Sequence, residues 1–162
     1  MGFDPGGSWL ADLSKDERAM KRCIVFIVLA AGCGRPEAGP APISYGEDAC
    51  DLCRMIISEA TYAAEARFGP DKIEKYDDIG CLGERLWEGP PPVAMWVADH
   101  SSGRLHPVSS VALVHVKDLK TPMASGVAAF ADRAEAEAFK SKNGGRFIGV
   151  DEIKSMRRPP KR

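Results

Sequence analysis

The chain has 162 residues, enough for one ordinary domain or two small subdomains that share a core. Apolar and charged fractions of 44% and 28% are those of a globular protein, and 22 basic against 23 acidic residues leave it near neutral. That balance excludes the strongly basic footprint of a nucleic-acid-binding protein, so no nucleic-acid partner is expected.

Residues 1–19, "MGFDPGGSWLADLSKDERA", carry Asp4, Asp12, Asp16 and Glu17, the wrong charge for the head of an export signal. The expectation is that translation starts at Met20 and that 1–19 is an upstream extension. Residues 20–32 read as a lipoprotein signal peptide. Lys21 and Arg22 precede an apolar run from Ile24 to Ala31, then small residues, then Cys33. The run falls well short of the roughly 20 apolar residues of a spanning helix. "LAAGC" resembles a lipobox, in which Cys33 is acylated and becomes the mature N-terminus. Leu29 sits one place further from Cys33 than the usual large aliphatic, with Ala30 in that slot. A buried helix or core strand is the alternative, and the following "GCGRPEAGPAP" opposes it. A lipidated chain would be tethered to its membrane rather than spanning it.

Residues 33–46 are the lipidated cysteine and a Pro- and Gly-rich flexible tether. An exported chain meets an oxidising compartment. With Cys23 removed and Cys33 lipidated, Cys50, Cys53 and Cys81 remain, an odd number that a pure disulfide framework would not use up.

Past the tether, residues 47–100 and 101–154 read as two related halves, with 155–162 a basic tail. "TYAAEARF" alternates, placing Tyr62, Ala64, Ala66 and Phe68 on one face and Glu65 and Arg67 on the other, as in a strand. "GPDK" turns and "IEKY" returns as a second strand. Asp78 then caps a helix with Ile79, Leu82 and Leu86 at helical spacing, which Gly89 stops, and "PPVAMWVAD" is a buried strand. The same order recurs later: a strand to Phe130, Asp132 with Glu135 as a capping box, Gly144 and Gly145 ending the helix, and "RFIGV" as a strand. The predicted architecture is α+β, two ββαβ-like halves forming a small mixed-sheet domain pair, with "RLHPV" or "VALVHVK" completing the second half.

The stretch "EDACDLCRMIIS" gathers Cys50, Cys53 and Met55 where the tether ends and an apolar strand, "MIIS", is expected. If the chain is extended from Cys53, Cys53 and Met55 face the same side, and a turn brings Cys50 back over them. Thiolate and thioether are soft donors that favour Cu(I), while thioether suits Zn²⁺ poorly. A structural zinc site wants four ligands, and nothing in the spacing pairs Cys81 or His100, His106 or His115 with the cluster. Three readings remain open on this chemistry: Cu(I) binding, a zinc or disulfide staple, and disulfide exchange. The last expects the motif at the head of a helix after a strand, whereas a tether precedes it here. Cys81, in the first helical turn, reads as a buried structural thiol, and the histidines as sheet residues. No catalytic constellation can be located from spacing, so no enzyme is expected.

"CDLCRMIIS", "YDDIGCL", "TPMASGVAAFADRAEAEAF" and "GGRFIGVDEI", in this order behind a lipobox, resemble the NosL family of nitrous-oxide-reductase accessory lipoproteins. Ala124 stands where the family's run usually has Gly. The resemblance implies a Cu(I) chaperone, lipid-anchored on the periplasmic face of a bacterial membrane, with outer membrane favoured because Gly34 carries no inner-membrane retention signal. It implies delivery of copper for the copper–sulfide centre of apo nitrous oxide reductase. It further implies a dedicated ABC transporter with its periplasmic component as partners, and a fold related to organomercurial lyase. Carried onto this chain, Cys53 and Met55 are the first metal ligands, Cys50 a second thiolate or exchange ligand, and Met123 a ligand from the second half. The rivals are a zinc- or disulfide-stapled lipoprotein scaffold and an organomercurial-lyase-like enzyme.

Overall fold

The computed structural model describes residues 1–2 and 39–156. The chain divides into two units, Met1–Gly39 and Pro40–Arg162, and the second carries the secondary structure described. The expected signal peptide, Cys33, the first part of the tether and the end of the basic tail lie outside the described residues.

The first half contributes β1 (Ala64–Arg67), β2 (Ile73–Tyr76), α1 (Ile79–Glu88) and β3 (Ala94–Ala98). The second contributes β5 (Ala112–His115), β6 (Val127–Phe130), α2 (Arg133–Asn143) and β7 (Arg146–Ile148). Between them runs β4 (Leu105–Pro107), and α3 (Val150–Met156) closes the chain. The protein is α+β, with two antiparallel sheets of order β2-β1-β3-β4 and β6-β5-β7. In each, the first strand of the half lies between its second and third, so the halves share one topology. "VALVHVK" supplies the central strand of the second sheet, whereas "RLHPV", past residue 100, extends the edge of the first.

Both helices begin as their sequences dictate. Asp78 accepts the Gly80 N–H at 2.6 Å, and Asp132 accepts those of Ala134 and Glu135 at 2.6 and 3.0 Å. Gly144, at φ 70°, ends α2 in the left-handed region. The expected capping box is not where Glu135 goes: its carboxylate accepts the Ser101 hydroxyl at 2.5 Å, which ties α2 to the turn after β3. The seven-residue α3 was not foreseen. It lies against α1 where Gly83 leaves room, since a Cβ there would come within 2.5 Å of the Ile153 carbonyl oxygen.

The second sheet is buried on both faces. Leu113, Val127, Ala129 and Ile148 join the core of the first half, while Val114, Ala128 and Phe130 pack with Ala136 and Phe139 of α2. Period-two alternation sorts these residues between the faces. The sheets meet through the His100 N–H donated to the Ala129 carbonyl at 2.7 Å and the Ala131 N–H donated to Asp99 at 3.0 Å.

Two expectations are corrected. Residues 41–46, expected to be flexible tether, are fastened: the Ala41 N–H is donated to both carboxylate oxygens of Glu65 at 3.0 and 2.9 Å, and Lys75 Nζ donates to the Pro42 carbonyl at 2.7 Å. Glu65, expected on a polar face, is fully buried beneath that contact. Burial pushes its pKa up from the ordinary value, and the Ala41 N–H opposes the rise. A carboxyl group whose folded pKa is raised gives its full stability below the unfolded pKa and loses it as pH climbs through the folded value. Glu65→Gln, which keeps an acceptor for Ala41, should therefore gain stability relative to the parent between about pH 4 and about pH 7. Urea midpoints of the two proteins at both pH values test this, and a pH-independent difference contradicts it.

Candidate metal centre

The Cys-x-x-Cys segment is the tip of a small hairpin. Ile57 and Asp48 are joined by the Ile57 N–H at 2.8 Å, and the Cys50 N–H is donated to the Met55 carbonyl at 2.8 Å. The four residues between, Asp51 to Arg54, form the loop, closed by the Arg54 N–H on the Cys50 carbonyl at 2.9 Å. Arg54 takes φ 67°, which a non-glycine residue adopts at a cost of roughly 1–2 kcal/mol. The expected extended chain from Cys53 is thus replaced by a turn, and "MIIS" makes only an isolated bridge, Ile56 with Ala49. Cys53 and Met55 do not share a strand face: Cys53 is half-buried against the core and Met55 is 54% exposed.

Asp51 docks this tip on the open edge of β2. Its N–H is donated to the Lys75 carbonyl at 2.8 Å, and its carboxylate accepts the Lys75 N–H at 2.7 Å. The contact places the cysteines beside Asp77, two residues past Lys75, and beside Cys81 in the first turn of α1. One donor atom each from Cys50, Cys53, Asp77 and Cys81 lies within 4.8 Å of all the others. The Cys53 and Cys81 thiols donate to Asp77 Oδ1 at 3.4 and 3.5 Å. No disulfide joins these three thiols to one another, and Cys50 and Cys81 are fully buried.

The three thiols share charge unequally. Contact with the Cys81 side chain lowers the pKa of Cys50 to about 6. The same contact, followed by burial, pushes Cys81 up, and burial pushes Cys53 up to about 11. Within the trio the ionised form is thus favoured at Cys50 over its two neighbours, close to the N-terminal end of α1. Such a set offers soft sulfur donors that lose their remaining protons to a thiophilic ion.

Cys81 was read as a structural thiol, and the fold brings it into the cluster instead. Its signal was local: a cysteine three places past an N-cap aspartate must lie in the first helical turn. Asp77 was, with Asp51, a candidate carboxylate only for the organomercurial-lyase-like rival, and the fold sets it against the thiols. Met123 is brought to the same end of α1, because its N–H is donated to Asp78 Oδ2 at 2.8 Å. The Thr121 hydroxyl reaches the same oxygen at 2.6 Å, and Ser125 packs on Gly80, where a Cβ would come within 2.5 Å of Ser125 Cβ. No histidine joins the cluster among the described residues. His100 sits amid Tyr62, Phe130 and Phe139, with ring centroids 5.1 to 5.4 Å away, and burial lowers the pKa of His100 and of His115.

Fold and site together define an α+β protein with a thiol-rich candidate metal centre at a helix N-terminus. The family model described as NosL matches residues 42–157, and the chain belongs to the NosL family. A solved structure of similar fold is the crystal structure of the copper chaperone NosL from Shewanella denitrificans, at TM-score 0.62 and 20% identity. The likeness covers 72% of this chain and 96% of that one. No curated protein matches the chain in sequence.

The buried Asp78 carboxylate serves α1 and the Thr121–Gly126 loop at once. Asp78→Ala removes a helix cap and leaves the Met123 N–H and Thr121 hydroxyl without their acceptor, an expected loss of about 2–4 kcal/mol. Chemical denaturation measures it, and a loss below about 1 kcal/mol would show that the loop is held by packing alone.

Proposed function

We propose that the chain is a Cu(I) chaperone, lipid-anchored through Cys33 on the periplasmic face of a bacterial membrane, with outer membrane favoured. Its task is to deliver copper for assembly of the copper–sulfide centre of nitrous oxide reductase. The observation that carries this reading is the convergence of the Cys50, Cys53 and Cys81 thiols where the hairpin tip meets α1, with Met55 exposed two residues past Cys53. The copper chaperone of Shewanella denitrificans supports it through a shared fold.

Cu(I) is the cargo. In this reading Cys50 and Cys53 supply thiolates, Met55 a thioether, and Met123, from the loop of the second half, a second thioether. The d¹⁰ ion is content with two or three soft ligands, so an acceptor's sulfur or imidazole enters before a chaperone ligand leaves. The partners are apo nitrous oxide reductase and a dedicated ABC transporter with its periplasmic component. The lipid anchor and the linker after Cys33 raise the local concentration of cargo near these partners. No helix of the described residues is long and apolar enough to cross a membrane.

One observation favours a second reading. Three thiols and the Asp77 carboxylate make four donors, the number a structural zinc site needs. A zinc-stapled lipoprotein scaffold would keep Zn²⁺ through anaerobic reduction and show no preference for Cu(I).

Titration of the reduced protein with Cu(I) against a competing chelator tests the assignment, with a near-stoichiometric complex expected. Cys53→Ser should weaken it by at least about a hundredfold and Met55→Leu more moderately, by about a few-fold, since a thiolate holds Cu(I) more firmly than a neutral thioether. Unchanged affinity in Cys53→Ser removes the site. Cys33→Ala should move the protein from the membrane to the soluble periplasmic fraction of the cell, and retention at the membrane contradicts lipidation at that residue.

A further inference from the structure

The thiols of the cluster differ in how they meet solvent. Cys50 and Cys81 are fully buried, Cys53 is half-buried, and Met55 is 54% exposed. Cys53 thus stands in the hairpin between the buried thiols of Cys50 and Cys81, with which its sulfur clusters, and the exposed Met55, two residues further along the chain. Resting on the copper reading above, we propose that Cys81 is a third sulfur ligand and that the ion occupies two seats pivoting on Cys53. The inner seat is Cys50, Cys53 and Cys81, and the outer seat is Cys53 with the Met55 thioether, open to the acceptor.

The spacing suits the inner seat. Three thiolates each about 2.3 Å from one ion stand about 4 Å apart, and the cluster's donor atoms already lie within 4.8 Å of one another. Closing on the ion asks for shifts of less than an ångström or so, which side-chain rotation supplies. Cys81 is held on the first turn of α1 by a helix cap, and Cys50 by its N–H on the Met55 carbonyl. Both inner ligands therefore come from fixed backbone, while the outer one hangs on an unbranched, rotatable side chain.

Charge gives the two seats their different roles. Cu(I) with two thiolates carries one net negative charge, and a third thiolate adds another in a buried place beside Asp77. Burying that charge is unfavourable, and the N-terminal end of α1 offsets only part of it. The neutral thioether carries no such penalty. The inner seat shields the ion from water and adventitious thiols, and the same excess charge favours its return to the outer seat when an acceptor arrives. Each thiol that becomes a ligand releases its proton to solvent, so the step changes no oxidation state.

X-ray absorption at the copper edge and stopped-flow transfer to bathocuproine disulfonate, both on the reduced full chain loaded with Cu(I), test this. The parent should show three sulfur ligands. Met55→Leu, at an exposed position that leaves the fold intact, should keep three and hand copper over several-fold more slowly. Cys81→Ser, or Cys81→Ala if serine unfolds the buried site, should fall to two and release copper about tenfold faster, the scale on which lost site partners act. A parent with two sulfurs, a fall to two in Met55→Leu, or an unchanged count and rate at Cys81 each overturns the proposal while leaving Cu(I) binding in place. Failure of the parent to bind Cu(I) at all would overturn the functional reading beneath it as well.

Discussion

The pair Asp77–Asp78, at the junction of β2 and α1, is the constraint on which the rest of the molecule depends. Both are buried, at 2% and 0% exposure, and burying two adjacent carboxylates is tolerable only if each is richly hydrogen-bonded. They divide the work by pointing to opposite sides, as consecutive residues leaving a strand do. Asp78 takes donors from the helix backbone and from the loop of the second half, and so fixes how α1 meets that loop. Asp77 turns the other way and takes the thiols of Cys53 and Cys81. The frame and the sulfur cluster are thus braced by neighbouring residues, and a shift in one is felt by the other.

The hairpin tip supplies the complementary constraint. Its loop holds Arg54 in a strained left-handed conformation, which persists because Asp51 makes two bonds to Lys75 and Arg54 one to Cys50. Fixing Cys50 and Cys53 before any ion arrives lowers the ordering cost of binding, as preorganisation does elsewhere. A site assembled this way needs no deep cavity. It stands at the rim of the fold, with one sulfur half in solvent, and a partner can approach without opening the core.

Much of this was legible in the sequence, and the reasons for the remainder are specific. Strands β1, β2 and β3, the two capped helices and their glycine stops follow from alternation and cap chemistry, which are local. The shared order of elements announced the two halves before any strand pairing was visible. Glu65 misled because alternation says which residues share a face but not whether a later segment, here Ala41, covers it. Glu135 misled because its capping-box partner competes with Ser101, more than thirty residues away in the chain. The helix α3 is too short to display a period. Cys81 was placed correctly in its helix yet its company was not, since that depends on how the hairpin tip docks on β2, a long-range contact that no spacing encodes.

The second half shows that the fold alone does not make the site. Counted from the caps Asp78 and Asp132, Asp77 corresponds to Ala131 and Cys81 to Glu135. In the second half the Ala131 backbone bonds Asp99 and the Glu135 side chain bonds Ser101, so the equivalent helix start is spent on joining the sheets. Nor, among the described residues, does that half have a counterpart to the cysteine hairpin: the outer edge of its second strand meets Asp99 and His100 of the first half instead. One topology, used twice, is structural at one helix terminus and sulfur-lined at the other. Function therefore resides in a handful of substitutions on a common frame. Three of them, Cys50, Cys53 and Cys81, converge only because Asp51 brings the hairpin to β2.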